Sequence, residues 1–342
     1  MTANRLRKLS LRVAYQELFE TLNRILSKIG FDEKGASLCA QLFTETTCDG
    51  VYTHGLNRFS RFLRMIQNGS IDIRAEPELV SSSGSLERWN GNRGPGNLNA
   101  HASMERAISL AKTGGIGCVA LANTNHWMRG GSYGWQTVEA GMIGICWTNT
   151  LPNLPAWGAN GAGLGNNPLV IAVPRASGHV VLDMALSQFS FGSLEAYRKR
   201  GEQLPVDGGF DEHGNLTRDP AAIEQSGRVL PIGYWKGSGL SLVLDMIAAM
   251  LSGGLATHQI PADPELETGI SQTFIAINLQ PLDQDDYAER LADQIIESMQ
   301  TQSTNDGHIR YPGEKTLQTR KENMAAGIPV DPKVWQEVCS LV

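Results

Sequence analysis

Two residues four apart offer the first chemistry in this sequence. His54 and Arg58 lie in Val51-Tyr-Thr-His54-Gly55-Leu-Asn-Arg58, at the entry to an apolar stripe of helical period. If they flank the first helical turn, their i,i+4 spacing sets both on one face. An imidazole beside a guanidinium is a poor structural pair, because two cations repel. It suits an anionic keto acid. The guanidinium can hold the carboxylate bidentately while the imidazole protonates the carbonyl oxygen as hydride reaches carbon. Taken alone, the pair fits a capping or surface histidine better than a catalytic one.

Three further segments carry reactive groups. His126, in Asn123-Thr-Asn125-His126-Trp127, follows a strand-like run and precedes a helical one, where α/β layers place ligand residues. A loop histidine satisfied by Trp127 or by backbone is an equal reading. Asp183 ends the apolar run from His179. Strand alternation puts His179, Val181 and Asp183 on one face, Val180 and Leu182 on the other. A carboxylate there can orient His54, as carboxylates do for catalytic imidazoles, or it can cap the next element. Gly233-Tyr234-Trp235-Lys236-Gly237-Ser238-Gly239 opens a long apolar helix whose first amides can receive a phosphate, or is a plain tight turn. His54, His126, His179 and Asp183 are ligand types, but no H-x-H, H-E-x-x-H or Cys-His spacing occurs, so no metal is expected.

The dinucleotide fingerprint G-x-G-x-x-G between strand and helix is missing. Gly161-Ala-Gly163-Leu-Gly165 lacks the spacing, Gly91-Asn-Arg-Gly94-Pro-Gly96 fails too, and Lys236 precedes its glycines instead of following them as in a phosphate-binding loop. A Rossmann enzyme is disfavoured, and a kinase or NTPase more so.

The elements that must position these residues follow from period. Leu18, Leu22, Ile25 and Leu26 predict a helix ended by Gly30. Asp32 predicts the cap of a second, burying Leu38, Leu42 and Phe43. A third carries Leu56, Phe59, Phe62, Leu63 and Ile66 and stops near Asn68-Gly69. These stripes need a partner, expected from a helix near Gln284 to Met299 or from a second subunit. From about 75 to 280 short strands are predicted at Glu87–Trp89, Cys118–Leu121, Ile143–Trp147, Leu169–Val173, Val180–Leu182 and Phe274–Ile277. Helices are predicted near Ala100–Ala111, Ser132–Ala140 and Ser238–Leu251. The reading is an α/β protein: a helical part over residues 1–75, discontinuous with about 283–342, and a mixed-sheet part over 76–282 holding cofactor and substrate.

Composition bounds the function. The chain has 342 residues, 29 Lys plus Arg against 35 Asp plus Glu, and no basic run, which argues against a nucleic-acid groove. The segment after the basic start is polar, so no signal peptide is expected. The run Leu240–Leu251, interrupted by Asp245, is too short to span a bilayer. Five scattered cysteines without a C-x-x-C pair read as reduced thiols, and the protein is expected in the cytoplasm without membrane or nucleic-acid partners. Two rivals from other classes are a metal-dependent sugar-acid lyase and a carbohydrate-binding module displaying Trp127, Trp135 and Trp157, although tryptophans are more often core.

Longer runs carry more information than any of these motifs. Gly50-Val-Tyr-Thr-His-Gly-Leu-Asn-Arg-Phe59, Asn125-His-Trp-Met-Arg-Gly-Gly-Ser-Tyr-Gly-Trp135, Gly144-Ile-Cys-Trp-Thr-Asn149, Gly165-Asn-Asn-Pro-Leu169, Gln203-Leu-Pro-Val-Asp-Gly-Gly-Phe210 and Gly233-Tyr-Trp-Lys-Gly-Ser-Gly239 resemble the type-2 malate/L-lactate dehydrogenase family. The resemblance runs from about Leu11 to the end, leaving a ten-residue extension. It implies a homodimer, a non-Rossmann cofactor fold and His54 as proton donor. It also implies NAD contacts at Gly178, His179, Val180, Val181, Leu182, Asp183 and Met184, at Tyr234, Trp235 and Lys236, and at Gly313, Glu314 and Lys315. Arg58 and His126 are implied in the substrate pocket, and Asp183 near the catalytic histidine. The implied reaction is NADH-dependent reduction of the sugar-derived acid 2,3-diketo-L-gulonate to 3-keto-L-gulonate, with NADPH left open. Malate, lactate, ureidoglycolate and cyclic imino acids are the alternative substrates. Asn166 departs from the family's usual Thr, and Lys315 stands where an acid is expected; both are expected on the cofactor side.

Overall fold

The computed structural model describes residues 11–283, 286–303 and 307–342. The ten-residue extension and Gln284 lie outside them. Amphipathic helices build the first layer. Tyr15–Lys28 (α1) buries Leu18, Leu22, Ile25 and Leu26 and stops before Gly30, whose φ of 104° no side chain adopts readily. Asp32 caps Glu33–Cys48 (α2), its carboxylate accepting from Gly35 N–H at 2.7 Å. Leu56–Gln67 (α3) buries Leu56, Phe59, Phe62, Leu63 and Met65, while Ile66 of the expected stripe is only partly covered. The rings of Phe43, Phe59 and Phe62 meet between α2 and α3 at 5.2 and 5.4 Å from Phe43.

Beyond residue 75 the period changes from helical to two. Seven strands form one mixed sheet: β1 (Glu78–Ser83), β2 (Leu86–Asn90), β3 (Ile116–Asn125), β4 (Ile143–Thr148), β5 (Leu169–Val173), β6 (Val180–Met184) and β7 (Thr268–Ile277). Their order is β1-β2-β3-β7-β4-β5-β6, and only β2 and β3 run parallel. This is the non-Rossmann mixed sheet that the missing glycine fingerprint called for. The last strand in sequence lies at its centre, buried on both faces. Gly96–Gly114 (α4) and Gly131–Glu139 (α5) cover one face over Val119, Val170 and Phe274. Trp235–Ser252 (α6) covers the other with Leu244 and Ala248 against Trp147. Trp127 and Trp135 are core residues of the first face, which removes two of the three tryptophans of the sugar-module reading.

The C-terminal segment returns to the helical layer, with one correction. Tyr287–Gln300 (α7) does not cover the N-terminal stripes. It holds Asp293 2.6 Å from Arg175 Nε and Glu289 2.7 Å from Ala176 N–H, beside the turn before β6. Its inner face carries one buried apolar side chain, Ile296, too little to cover three helices. Glu314–Ala326 (α8) follows, and then the strand Ile328–Val330 pairs antiparallel with Leu11–Val13. Pro332–Cys339 (α9) places Trp335 and Val338 in the N-terminal core.

One buried carboxylate joins the layers. Asp49 ends α2 with its side chain 1% exposed. Arg129, between β3 and α5, donates to it from Nη1 at 2.5 Å, and Arg320 of α8 from Nε and Nη2 at 2.6 and 2.7 Å. The Arg320 guanidinium also lies 4.8 Å from the centre of the Trp135 ring. Asp49→Asn leaves two guanidinium groups without their counter-charge, and breaking a buried ion pair from one side costs about 3–5 kcal/mol. Its urea midpoint should fall by that equivalent; an unchanged midpoint would show that the clasp holds nothing together.

Candidate active site

His54 stands on a turn that side chains fix in place. Its N–H donates to Val51 O at 3.1 Å, and Leu56 N–H donates to Thr47 Oγ1 at 2.9 Å while that hydroxyl donates to Phe43 O at 2.6 Å. Thr47 therefore ties the start of α3 to the body of α2 and sets the imidazole between them. His54 Nδ1 lies 3.0 Å from the Thr53 hydroxyl.

His126 arrives from the end of β3. The two imidazoles stack with centroids 5.8 Å apart and planes 19° apart. Met128 N–H donates to His126 Nδ1 at 3.0 Å, so that nitrogen is an acceptor and the neutral ring carries its proton on Nε2. Met128 has φ 64° in a residue with a side chain, a conformation of higher energy, and its thioether is buried in the helical core. That buried plug holds the loop that presents His126.

Electrostatics keep both imidazoles neutral in the free protein. Burial first, then the charges of Arg58 and Arg129, lower His54 to about 4. His126 is lowered well below the usual histidine value by burial, then by Arg58 and His54. Arg58 itself is 3.9 Å from the buried carboxylate of Glu267, which also accepts from Leu151 N–H at 3.3 Å. It stands behind the histidines and does not line their cavity.

Asp183 shares that cavity without serving His54. Its Oδ2 accepts from Gly131 N–H at 2.9 Å, an approach possible because a Cβ on Gly131 would sit 2.7 Å from the same oxygen. Burial raises its pKa, against the pull of Arg129 and of the Gly131 N–H. Among the described residues no hydrogen bond joins Asp183 to His54; its carboxylate instead holds the first N–H of α5, which precedes it in sequence, and not the element that follows β6.

Two cavities meet here. One of about 240 Å³ is lined by Thr53, His54, His126, Thr150, Asn166 and Asp183 among others. A groove of about 510 Å³ lies beside β6 and the start of α8, against Val181, Leu182, Arg310, Gly313 and Thr316. Val51, Arg129 and Asp183 line both. Gly313 has φ 97°, and a Cβ there would come 3.1 Å from Val181 N, which donates to Pro312 O at 2.9 Å. Val181, Leu182, Asp183 and Gly313 thus come together. Gly178 and His179 belong to the preceding turn, where His179 Nδ1 accepts from Arg175 N–H at 3.1 Å, and Val180 and Met184 line neither cavity. Glu314 faces His308 at 2.9 Å, and Lys315 is exposed. Tyr234, Trp235 and Lys236 start α6 and line neither cavity; Tyr234 packs edge-on against Trp157 at 5.0 Å. Asn166 lines the histidine cavity and not the groove. Arg129 lies in one of the runs that carry the resemblance but without a role of its own, Thr150 and Arg310 lie in none, and their part emerges only from the convergence of distant segments. Among the described residues no three His, Cys, Asp or Glu side chains converge as a metal site would require.

Comparison with known proteins now bears on this geometry. Residues 13–339 match the family described as malate/L-lactate dehydrogenase. The chain is 46% identical over 333 residues to 2,3-diketo-L-gulonate reductase of Escherichia coli, covering 97% of this chain and all of that protein, and equally to its Shigella flexneri counterpart. Sulfolactate dehydrogenase from Methanocaldococcus jannaschii superposes with a TM-score of 0.90 at 27% identity, over 97% of this chain and 96% of that one. Malate dehydrogenase from Pyrococcus horikoshii gives 0.88 at 27%, over 98% and 95%. A paired-histidine cavity on this mixed sheet, matched over nearly the whole chain, makes the protein a member of the malate/L-lactate dehydrogenase family and an oxidoreductase of the CH–OH/C=O couple.

Proposed function

We propose that the chain reduces 2,3-diketo-L-gulonate to 3-keto-L-gulonate with NADH, His54 donating the proton. The observation that carries this reading is the junction of the two cavities at Val51, Arg129 and Asp183, with both histidines on one side of it. The 46% identity to a reductase of that substrate supports the choice of acid.

The groove suits a dinucleotide. Gly313 lets the groove wall close onto the Val181 backbone, the N-terminus of α8 adds positive charge there, and Arg310 adds a cation for a pyrophosphate. Val181, Leu182, Asp183 and Gly313 are the residues proposed to hold NADH, which supplies the hydride when bound. The Arg58 and Arg129 charges favour an anionic substrate beside His54. The substrate's carboxylate offsets those charges and brings the imidazole to its protonated form. His54 then gives its proton to the carbonyl oxygen, while the Nε2–H of neutral His126 donates a hydrogen bond to an oxygen nearby. Asp183 fixes the entry to α5 and thereby the wall shared by both cavities.

The proposed assembly is a homodimer. Along α6, Trp235, Leu242, Val243, Met246 and Met250 are exposed, Met250 by 70%, forming a continuous apolar face. No helix among the described residues is long and apolar enough to cross a membrane, so a second copy is the proposed cover.

Three outcomes follow. His54→Gln should lose about 10²–10⁴-fold in kcat, the usual worth of general-acid help, and keep its thermal stabilisation by NADH; near-normal turnover would remove the proton-donor role. Because the free enzyme must carry a proton on a group lowered to about 4, kcat/KM for reduction should rise about tenfold per unit as pH falls from roughly 8 to 5, whereas oxidation of the hydroxy acid should stay level. A flat reductive profile would contradict that ionisation. Met246→Lys should shift the protein from dimer to monomer in sedimentation equilibrium, and an unaltered mass would place the interface elsewhere.

A further inference from the structure

Asn166 is the wall of the histidine cavity opposite in character to the imidazoles: an amide whose orientation the surrounding hydrogen bonds leave no freedom to choose. Its backbone N–H donates to Asn153 Oδ1 at 2.7 Å. An N–H can only donate, so that atom of Asn153 is the oxygen and the other is the NH2. Asn153 Nδ2 in turn lies 3.3 Å from the side chain of Asn166, which must present its oxygen there. The Thr150 hydroxyl lies 3.2 Å from the same Oδ1 and 3.1 Å from Leu151 O, and its single proton serves one of the two. The backbone is held from the other side, Leu186 N–H donating to Asn166 O at 2.8 Å.

With its oxygen turned to Asn153, Asn166 has one polar group left, the two N–H bonds of Nδ2. Among the described residues no acceptor meets them, and the residue is half-buried on the wall of the same 240 Å³ cavity as His54 and His126. Thr150 also lines that wall, whereas Asn153, which fixes the amide, stands behind it.

We infer that Asn166 is a specificity-determining residue whose Nδ2 donates to an acceptor oxygen, keto or hydroxyl, that the substrate carries beyond its reacting C2 carbonyl. This rests on the proposed reading of the cavity as the keto-acid site. A fixed donor selects strongly. A substrate with the oxygen completes a hydrogen bond, and one with a methyl or methylene in its place leaves a polar group dry and unpaired. Asn153 acts one step back, as the residue that positions the amide without touching substrate.

The test compares 2,3-diketo-L-gulonate with pyruvate, which has no oxygen beyond C2, as substrates for the wild type, Asn166→Thr, Asn166→Asp and Asn153→Val, with NADH oxidation as readout. For the diketo acid, Asn166→Thr should raise KM about 3- to 10-fold, the worth of one neutral hydrogen bond. Asn166→Asp, which puts a carboxylate where the donor was, should raise it further. Pyruvate kinetics should change less than twofold in Asn166→Thr. Asn153→Val should lose the same discrimination as Asn166→Thr, because its amide is free to turn. Equal losses for both acids, or a rise in KM for NADH alone, would overturn the inference. If the wild type reduces neither acid nor any other 2-keto acid, it is the keto-acid reading that fails.

Discussion

A single carboxylate with two arginines decides how the parts of this molecule sit together. Asp49 comes from the helical layer, Arg129 from the loop that leaves the sheet beside His126, and Arg320 from the helix that walls the groove. Asp49 and Arg129 are buried, and either charge left without its partner would be costly, so the segments are held in step. The same ion cluster explains why the site has a fixed shape although its lining residues run from Val51 to Thr316. Arg129 does double duty, because it also lines both cavities and helps to hold His54 neutral.

The site's polarity follows from that arrangement. Positive charge is concentrated behind two neutral imidazoles, and the acids nearby are engaged: Asp49 by two arginines, Asp183 by Gly131 N–H, Glu267 by Arg58 and Leu151 N–H. What remains for a ligand is a hydrogen-bond donor from the His126 ring and hydroxyl and amide groups from Thr53, Thr150 and Asn166. A short, anionic, oxygen-rich molecule matches this set better than an apolar one.

Much of the fold was legible before any coordinates. The α1 to α3 stripes and all six predicted strands stand where period and cap residues put them, because local propensity and burial agree there. The partner of the N-terminal helices was misread because an amphipathic stripe does not say what covers it. The true partners, Ile328, Val330, Trp335 and Val338, sit in short elements with little periodic signal. His54 and His126 were visible as motifs, but their stacking was not. Asp183 was placed on the correct strand face and given the wrong partner, since Gly131 N–H competes for its oxygen and a backbone donor leaves no trace in residue type. Asn166 was read through a cofactor resemblance, and only its bonds to Asn153 and Thr150 turn it toward the histidines.

One contact at the groove has a consequence for the whole fold. β6 is the last strand of the sheet, and its outward backbone would be unpaired but for the segment at 311–313, where Pro312 O receives Val181 N–H. The stretch that walls the groove is therefore also the cap on an open β-edge. An uncovered edge is a template for strand addition by other chains. A chain shortened before Pro312 would thus lose more than a ligand wall: it would expose an adhesive strand, and its fate would be set by aggregation before lost turnover mattered.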